Sequence, residues 1–257
     1  MKPAKKTIRH DVDVSEEAGV RYLHFGSDWI QGAMRIARPW SLELGYTREM
    51  MAGLLMRERR NWPRSALLIG LGAGSLAKFI YRYLPDCRIT VVEINPQVEC
   101  VARQYFKLPD DPRRLDILTG CGADYVQDGK RQFDLILSDG FGPDGRPGEL
   151  DTLPFYLACR SRLSDKGLFC VNLLREKGFQ KSVDRINTAF DRRVAVFPSC
   201  DSGNTIAFAS AGEAVDVSVD VLRERADLLK QESKLDLRPT LSRLQMAYPL
   251  PEGRFRI

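Results

Sequence analysis

The sequence predicts an α/β fold built on a mainly parallel, seven-stranded sheet, and three observations predict it. From Ser65 onward, apolar runs of strand length alternate with segments of helix length, the pattern of a parallel sheet covered by helices on both faces. Residues 66 to 95, ALLIGLGAGSLAKFIYRYLPDCRITVVEIN, read as a buried strand, a Gly-x-Gly-x-Gly turn, a helix and a second strand ending in Glu93. A chain of 257 residues is long enough for one large α/β core, alone or with a small extra domain.

Residues 1–62 read as a distinct, β-rich N-terminal domain. RYLHF and GAMRI have the aromatic and branched content of short strands, punctuated by Gly26 and Gly32. A helix is expected from Thr47 to Arg60, with Met50, Met51, Leu54 and Leu55 on its apolar face, stopped at Asn61-Trp62-Pro63. Residues 63–257 form the second domain. Strands are expected near 66–70, 88–93, 114–118, 133–138, 167–173, 193–197 and 204–209, and helices near 74–84, 95–106, 122–128, 152–163 and 177–190. After Val215 comes a helical tail, VLRERADLLKQESKL, able to pack on the sheet or on a second subunit.

Bulk properties exclude several function classes. The longest apolar runs, such as ALLIG and FDLIL, are far shorter than a membrane span. MKPAKKTIRHDVDV carries no apolar segment of the secretory kind, so a cytoplasmic protein without a membrane partner is expected. The six cysteines include no CxxC pair, and the two histidines, His10 and His24, form no cluster with them, so no metal is expected and the thiols read as reduced. The net charge of +5 is scattered, and runs such as Arg57-Glu58-Arg59-Arg60 read as a solvated face rather than a nucleic-acid surface.

In an open parallel sheet, ligands bind beyond the carboxyl ends of the strands, so strand-terminal residues are the candidates. Gly70, Gly72 and Gly74 permit a tight turn and close approach of a ligand. Ser75 stands where a dinucleotide fingerprint needs its third glycine; the spacing is instead that of S-adenosyl-sulfonium binders. A bare strand-to-helix turn would also explain the glycines. Glu93 adds a carboxylate able to accept hydrogen bonds from both hydroxyls of a ribose. Asp139 ends the strand FDLILSD and opens the acidic loop DGFGPDGRPGELD. It reads as a carboxylate facing the sulfonium and an incoming amine. Asp144 and Glu149 read as solvent-exposed loop carboxylates, and Asp151-Thr152 as a helix N-cap. Transfer from a sulfonium expels a neutral thioether and needs chiefly in-line positioning and a group to take the amine's proton. No G-x-S-x-G elbow of a nucleophilic hydrolase is present.

These residues resemble the spermidine synthase (polyamine aminopropyltransferase) family. The resemblance runs nearly to Ser210 through QGAMRI with Gln31, the helix with Tyr46 and Glu49-Met50, IGLGAG, VVEIN, TGCGADYV, FDLILSD, and LPFYLACRSRLSDKGLFCVNL with Phe155 and Tyr156. It implies a small β-structured N-terminal domain, a Rossmann-like domain of the class I methyltransferase type, and a homodimer. It also implies a donor, decarboxylated S-adenosylmethionine or S-adenosylmethionine, and a small amine acceptor of the putrescine or spermidine type. Glu93 would hold the ribose, Gln31 would contact the nucleoside, Cys121-Gly122-Ala123 would flank the adenine, and Asp139 would face the aminopropyl nitrogen. Tyr46 and Tyr156 would contact the acceptor.

The chain departs from the family pattern at several points. Ala73 stands where the family has an aspartate on the donor's amine, and Cys121 where it has the aspartate near adenine. Gly142 replaces its second loop aspartate, so that Asp144 would have to act from two residues away as a catalytic partner of Asp139. Thr47-Arg48 replaces a Tyr-His pair. Two further readings share the fold: a small-molecule S-adenosylmethionine-dependent methyltransferase, and a non-catalytic nucleoside-binding or assembly protein. A nicotinamide oxidoreductase fits least.

Overall fold

The computed structural model describes residues 11–26, 29–142, 144–175, 178–200 and 203–257. His10 and the expected start of a helix at Lys177 lie outside them. The N-terminal segment forms a three-stranded antiparallel sheet, β1 (Asp13–Glu17), β2 (Val20–His24) and β3 (Ile30–Arg35). The last two are the strands expected from RYLHF and GAMRI. The first carries the almost wholly exposed sequence DVSEE, which offers no apolar alternation to read.

The expected helix over 47–60 is instead broken. α1 (Gly45–Met50) passes at once into a 3-10 turn, Met51–Leu55, and a second short turn covers Arg59–Asn61. Met50, Met51, Ala52, Leu54 and Leu55 are all buried, so the segment is apolar all round rather than along one stripe. Its environment, not its pattern, sets its conformation.

The main sheet has seven strands in the order β6-β5-β4-β7-β8-β10-β9: β4 (Ser65–Ile69), β5 (Arg88–Glu93), β6 (Leu115–Thr119), β7 (Phe133–Ser138), β8 (Leu163–Leu174), β9 (Val194–Pro198) and β10 (Asn204–Ser210). All neighbours are parallel except β10, which runs antiparallel to both β8 and β9. The connecting helices are α2 (Ser75–Tyr83), α3 (Pro96–Tyr105), α4 (Gly122–Asp128), α5 (Leu153–Ser161) and α6 (Phe179–Ala189). This is the α/β class expected, with the small N-terminal sheet beside it.

The period of two along each strand divides the core between the sheet's two faces. Ala66, Leu68, Ile89, Val91, Leu135 and Leu137 join one cluster. Leu67, Ile69, Val92 and Ile136 join the other. The first cluster also takes Leu23 and Met34 from the N-terminal sheet and Leu222, Ala226 and Leu229 from α7 (Val219–Ser233), so the tail helix joins that core, beside the 3-10 turn Met51–Leu55. It is capped by Ser218, whose hydroxyl accepts from Val221 N at 3.3 Å. After it comes α8 (Arg238–Ala247), and β11 (Asp216–Ser218), just before α7, pairs with β12 (Arg254–Arg256) at the chain's end in a two-stranded ribbon. Among the described residues no helix is long and apolar enough to cross a membrane.

Candidate active site

The strand order lines up the expected residues. β4 is flanked by β5 and β7, so the crossovers leave it in opposite directions and open a crevice at its carboxyl end. Reading across the sheet, Cys121 follows β6, Glu93 ends β5, Gly70 follows β4 and Asp139 follows β7. With neighbouring strands about 4.8 Å apart, three steps separate the outer two by roughly 14 Å. The ladder continues past the strand ends: Gly70 N donates to Val92 O at 2.9 Å, Gly120 N to Glu93 O at 2.8 Å, and Asp139 N to Ile69 O at 2.9 Å. The residues that follow are therefore held in register.

Gly70 is the position where a side chain is forbidden. Its φ is +93°, and a Cβ there would lie 2.6 Å from the carbonyl oxygen of Asp139. The turn that begins here is also the seat of the N-terminal sheet. A Cβ at Gly32 would meet the Cβ of Ala73 at 2.7 Å, and Ser75 Oγ donates to Ala33 O at 3.2 Å. Close packing of β3 on the turn is what carries Gln31 into the crevice.

Two cavities meet there. The larger, about 750 Å³, is lined by Gln31, Gly70, Gly72, Glu93, Cys121, Gly122 and Asp139 among the expected residues, with Asp144 at its loop side. The smaller, about 480 Å³, is lined by Gln31, Tyr46, Gly70, Gly72, Ala73 and Asp139, with Asn172 and Asn204. Gln31, Gly70, Gly72, Asp139 and Phe141 belong to both. Asp139 thus stands at the junction.

Glu93 is only 7% exposed. Its Oε2 accepts from Leu71 N at 2.8 Å and its Oε1 from Asn95 N at 2.9 Å. Burial pushes its pKa up, while hydrogen bonds from the Asn95, Leu71 and Ile94 amides pull it down. An ionised carboxylate has about four lone-pair sites, so these three amides leave acceptor capacity for a further donor from the cavity. Asp139 is raised to about 6, chiefly by burial, against hydrogen bonds from Asn172 and Tyr46. The Asn172 amide donates to Asp139 Oδ1 at 3.0 Å.

Three expected residues sit elsewhere. Tyr156 is fully buried in the core under α5, and its hydroxyl donates to Asp151 Oδ1 at 2.9 Å; it lines neither cavity. Gly74 caps α2 in the left-handed conformation, and Ala123 is buried; neither faces the crevice. Asp144 lies in a tight turn, accepting from Arg146 N at 3.1 Å. Its side chain is 63% exposed, and it lines the larger cavity but not the smaller. Conversely, sequence reading passed over Asn172. Its signal was there: one amide inside the otherwise apolar run LFCVNLL. Ile94 and Leu150, which line the larger cavity, and Trp29, which lines the smaller, carried none, because segments that fold over the crevice bring them there.

Comparison with known proteins gives the lineage. The family model described as the spermine/spermidine synthase domain matches residues 43–206. A polyamine aminopropyltransferase of Neisseria meningitidis is 36% identical over 250 residues, covering 97% of this chain and 94% of its own. A spermidine synthase in complex with the transition state analogue AdoDATO shares the fold at a TM-score of 0.65, with 20% identity, over 98% of this chain and 94% of its own. Human methyltransferase-like protein 13 in complex with SAH does so at 0.67, with 24% identity, over 74% of this chain and 93% of its own. With a domain match across most of its length and a near full-length relative of this similarity, the chain belongs to the spermine/spermidine synthase family.

Proposed function

We propose that the protein is a transferase that binds an S-adenosyl-sulfonium nucleoside across the ends of β6, β5, β4 and β7 and passes an aminopropyl group to a polyamine-type amine. The observation that carries this reading is the position of Asp139. It is a half-buried carboxylate at the junction of two cavities, oriented by the Asn172 amide and Tyr46. The larger cavity offers Glu93 to a ribose and apolar walls to a base. The smaller offers Tyr46, Thr47, Asn172 and Asn204 to an acceptor. The sulfonium then lies over Gly70 and Gly72, beside Asp139.

In the reaction the amine nitrogen attacks the carbon bonded to sulfur. The N–C bond forms as the C–S bond breaks, the electron pair leaves on a neutral thioether, and a proton passes from nitrogen to Asp139. A carboxylate raised to about 6 is a stronger base than an ordinary one yet is still mostly ionised at neutral pH. The remaining contribution is alignment of nitrogen, carbon and sulfur.

A second reading is favoured by Ala73, which is 2% exposed, packed on Gly32 and lines the smaller cavity. It presents no carboxylate toward the donor's amino-acid end, so a donor that keeps its own carboxylate is not repelled there. This is the methyltransferase reading, with S-adenosylmethionine as donor.

Calorimetric titration with methylthioadenosine, S-adenosylmethionine, its decarboxylated form and NAD, followed by incubation with putrescine or spermidine and mass spectrometry, separates them. An aminopropyl increment on the amine is the expected result. A methyl increment establishes the second reading, and binding without any product across an amine panel refutes both. Glu93→Ala abolishes nucleoside binding on this account; an unchanged affinity would remove the ribose assignment.

A further inference from the structure

Beyond Glu93 the larger cavity extends to the end of β6, where a thiol and two carboxylates converge. The sulfur of Cys121 and oxygens of Asp124 and Glu149 lie within 4.8 Å of one another. The Cys121 thiol donates to Glu149 Oε2 at 3.6 Å. Burial pushes that thiol's pKa up, so it remains S–H and serves as a donor. Cys121 and Glu149 line the cavity and Asp124 does not. Glu149 arrives on the loop after β7, in the 3-10 turn Gly148–Asp151 that also carries Leu150. Leu150 and Ile94, both half-buried, supply apolar walls to the same compartment.

The geometry constrains what a nucleoside can present here. With its ribose on Glu93, one strand in from Cys121, its base extends toward β6 between Ile94 and Leu150. Its far edge then meets Glu149. A carboxylate accepts hydrogen bonds and cannot donate them, so that edge must carry an N–H. We infer that Glu149 is the base-reading residue of this site. Its carboxylate accepts a hydrogen bond from the exocyclic amine of a 6-aminopurine, and Cys121 is a positioning residue that holds the carboxylate through its thiol. This rests on the nucleoside reading of the crevice.

The test compares methylthioadenosine with its 6-oxo counterpart, methylthioinosine, by calorimetry on the full chain. The wild type binds the 6-amino nucleoside about tenfold more tightly, the scale of one hydrogen bond to a charged group. Glu149→Gln, whose amide can donate to the 6-oxo group, brings the two affinities within about threefold by weakening one and strengthening the other. Glu149→Ala lowers only the first. Glu149 is exposed, so an unchanged melting temperature accompanies both variants. A preference that survives intact in both variants, or equal binding of the two nucleosides by the wild type, overturns the inference. A wild type that binds neither nucleoside overturns the reading of the crevice itself, a result distinct from a change in preference.

Discussion

Replacing Asp139 by Asn is expected to make the protein more stable at neutral pH while removing its turnover. The carboxyl's pKa is raised from 3.8 to about 6, with burial as the main cause. A native group that holds its proton more tightly than the unfolded chain makes stability fall as pH rises between those two values. Above pH 7 the ionised carboxylate therefore costs about 3 kcal/mol, at 1.36 kcal/mol per pKa unit, and less to the extent that cavity water reaches it. Asn has the same shape, is never charged, and its amide oxygen can still accept from Asn172. For a chain of this length that gain corresponds to a rise in Tm of roughly 5–10 °C. Thermal unfolding of both proteins at several pH values measures it. The advantage of Asp139→Asn is largest at pH 8 and shrinks steadily below pH 6 toward pH 4. A pH-independent difference, or a variant less stable than wild type at pH 8, would refute the electrostatic account. Wild-type turnover in the variant would separately remove Asp139 from the chemistry.

Two other buried charges give predictions. Lys78 is 1% exposed, donates to Phe106 O at 2.7 Å, and is lowered from 10.5 to about 7 by burial; since the unfolded chain binds the extra proton between those values, stability gains with rising pH in that window. Lys78→Met should accordingly be more stable than wild type at pH 6 and less stable near pH 10, by about 1–2 kcal/mol for the carbonyl it leaves unpaired; denaturant midpoints of equal sign at both pH values would contradict this. Glu49, 1% exposed, accepts from Arg243, Ser199 and the Cys200 amide, tying α1 to the β9–β10 loop and α8. Glu49→Ala should cost about 3 kcal/mol, and a loss under 1 kcal/mol in urea unfolding would show the tie to be dispensable.

How much of this was legible in the sequence follows from which interactions are local. The seven strands and five connecting helices of the main sheet are set by short-range patterns, β4 being apolar on both faces because helices cover both. Glu93 and Asp139 were legible for a related reason: a carboxylate closing an apolar strand has nothing to pack against. What escaped depends on tertiary placement. DVSEE pairs as an edge strand without apolar alternation, and the Met50–Leu55 run loses its helix to burial on every side. Tyr156 is set in the core by the helical period of α5, which turns it inward with Phe155 and Cys159. Glu149 is exposed, as its sequence suggests, but sequence distance hides that its loop returns to Cys121, 28 positions earlier, along the larger cavity.

The same distinction separates binding from reaction. Glu93, Gly70 and Asp139 are held by ladder hydrogen bonds of the central sheet, and a change there disturbs strands that the whole core depends on. Positions 142, 144 and 149 lie in the loop after β7. There a side chain can change at the cost of local contacts alone, as the short network among Gly142, Asp144, Gly145 and Arg146 illustrates. A lineage on this fold can therefore keep its grip on an adenosyl group while altering what it discriminates and what it alkylates. Gly142, where the resembled family pattern has an aspartate, lies in that loop. On the function proposed, changes confined to that loop leave Glu93 and Asp139 in register and place the choice of donor and acceptor on side chains that line the crevice, Tyr46, Asn172 and Glu149 among them.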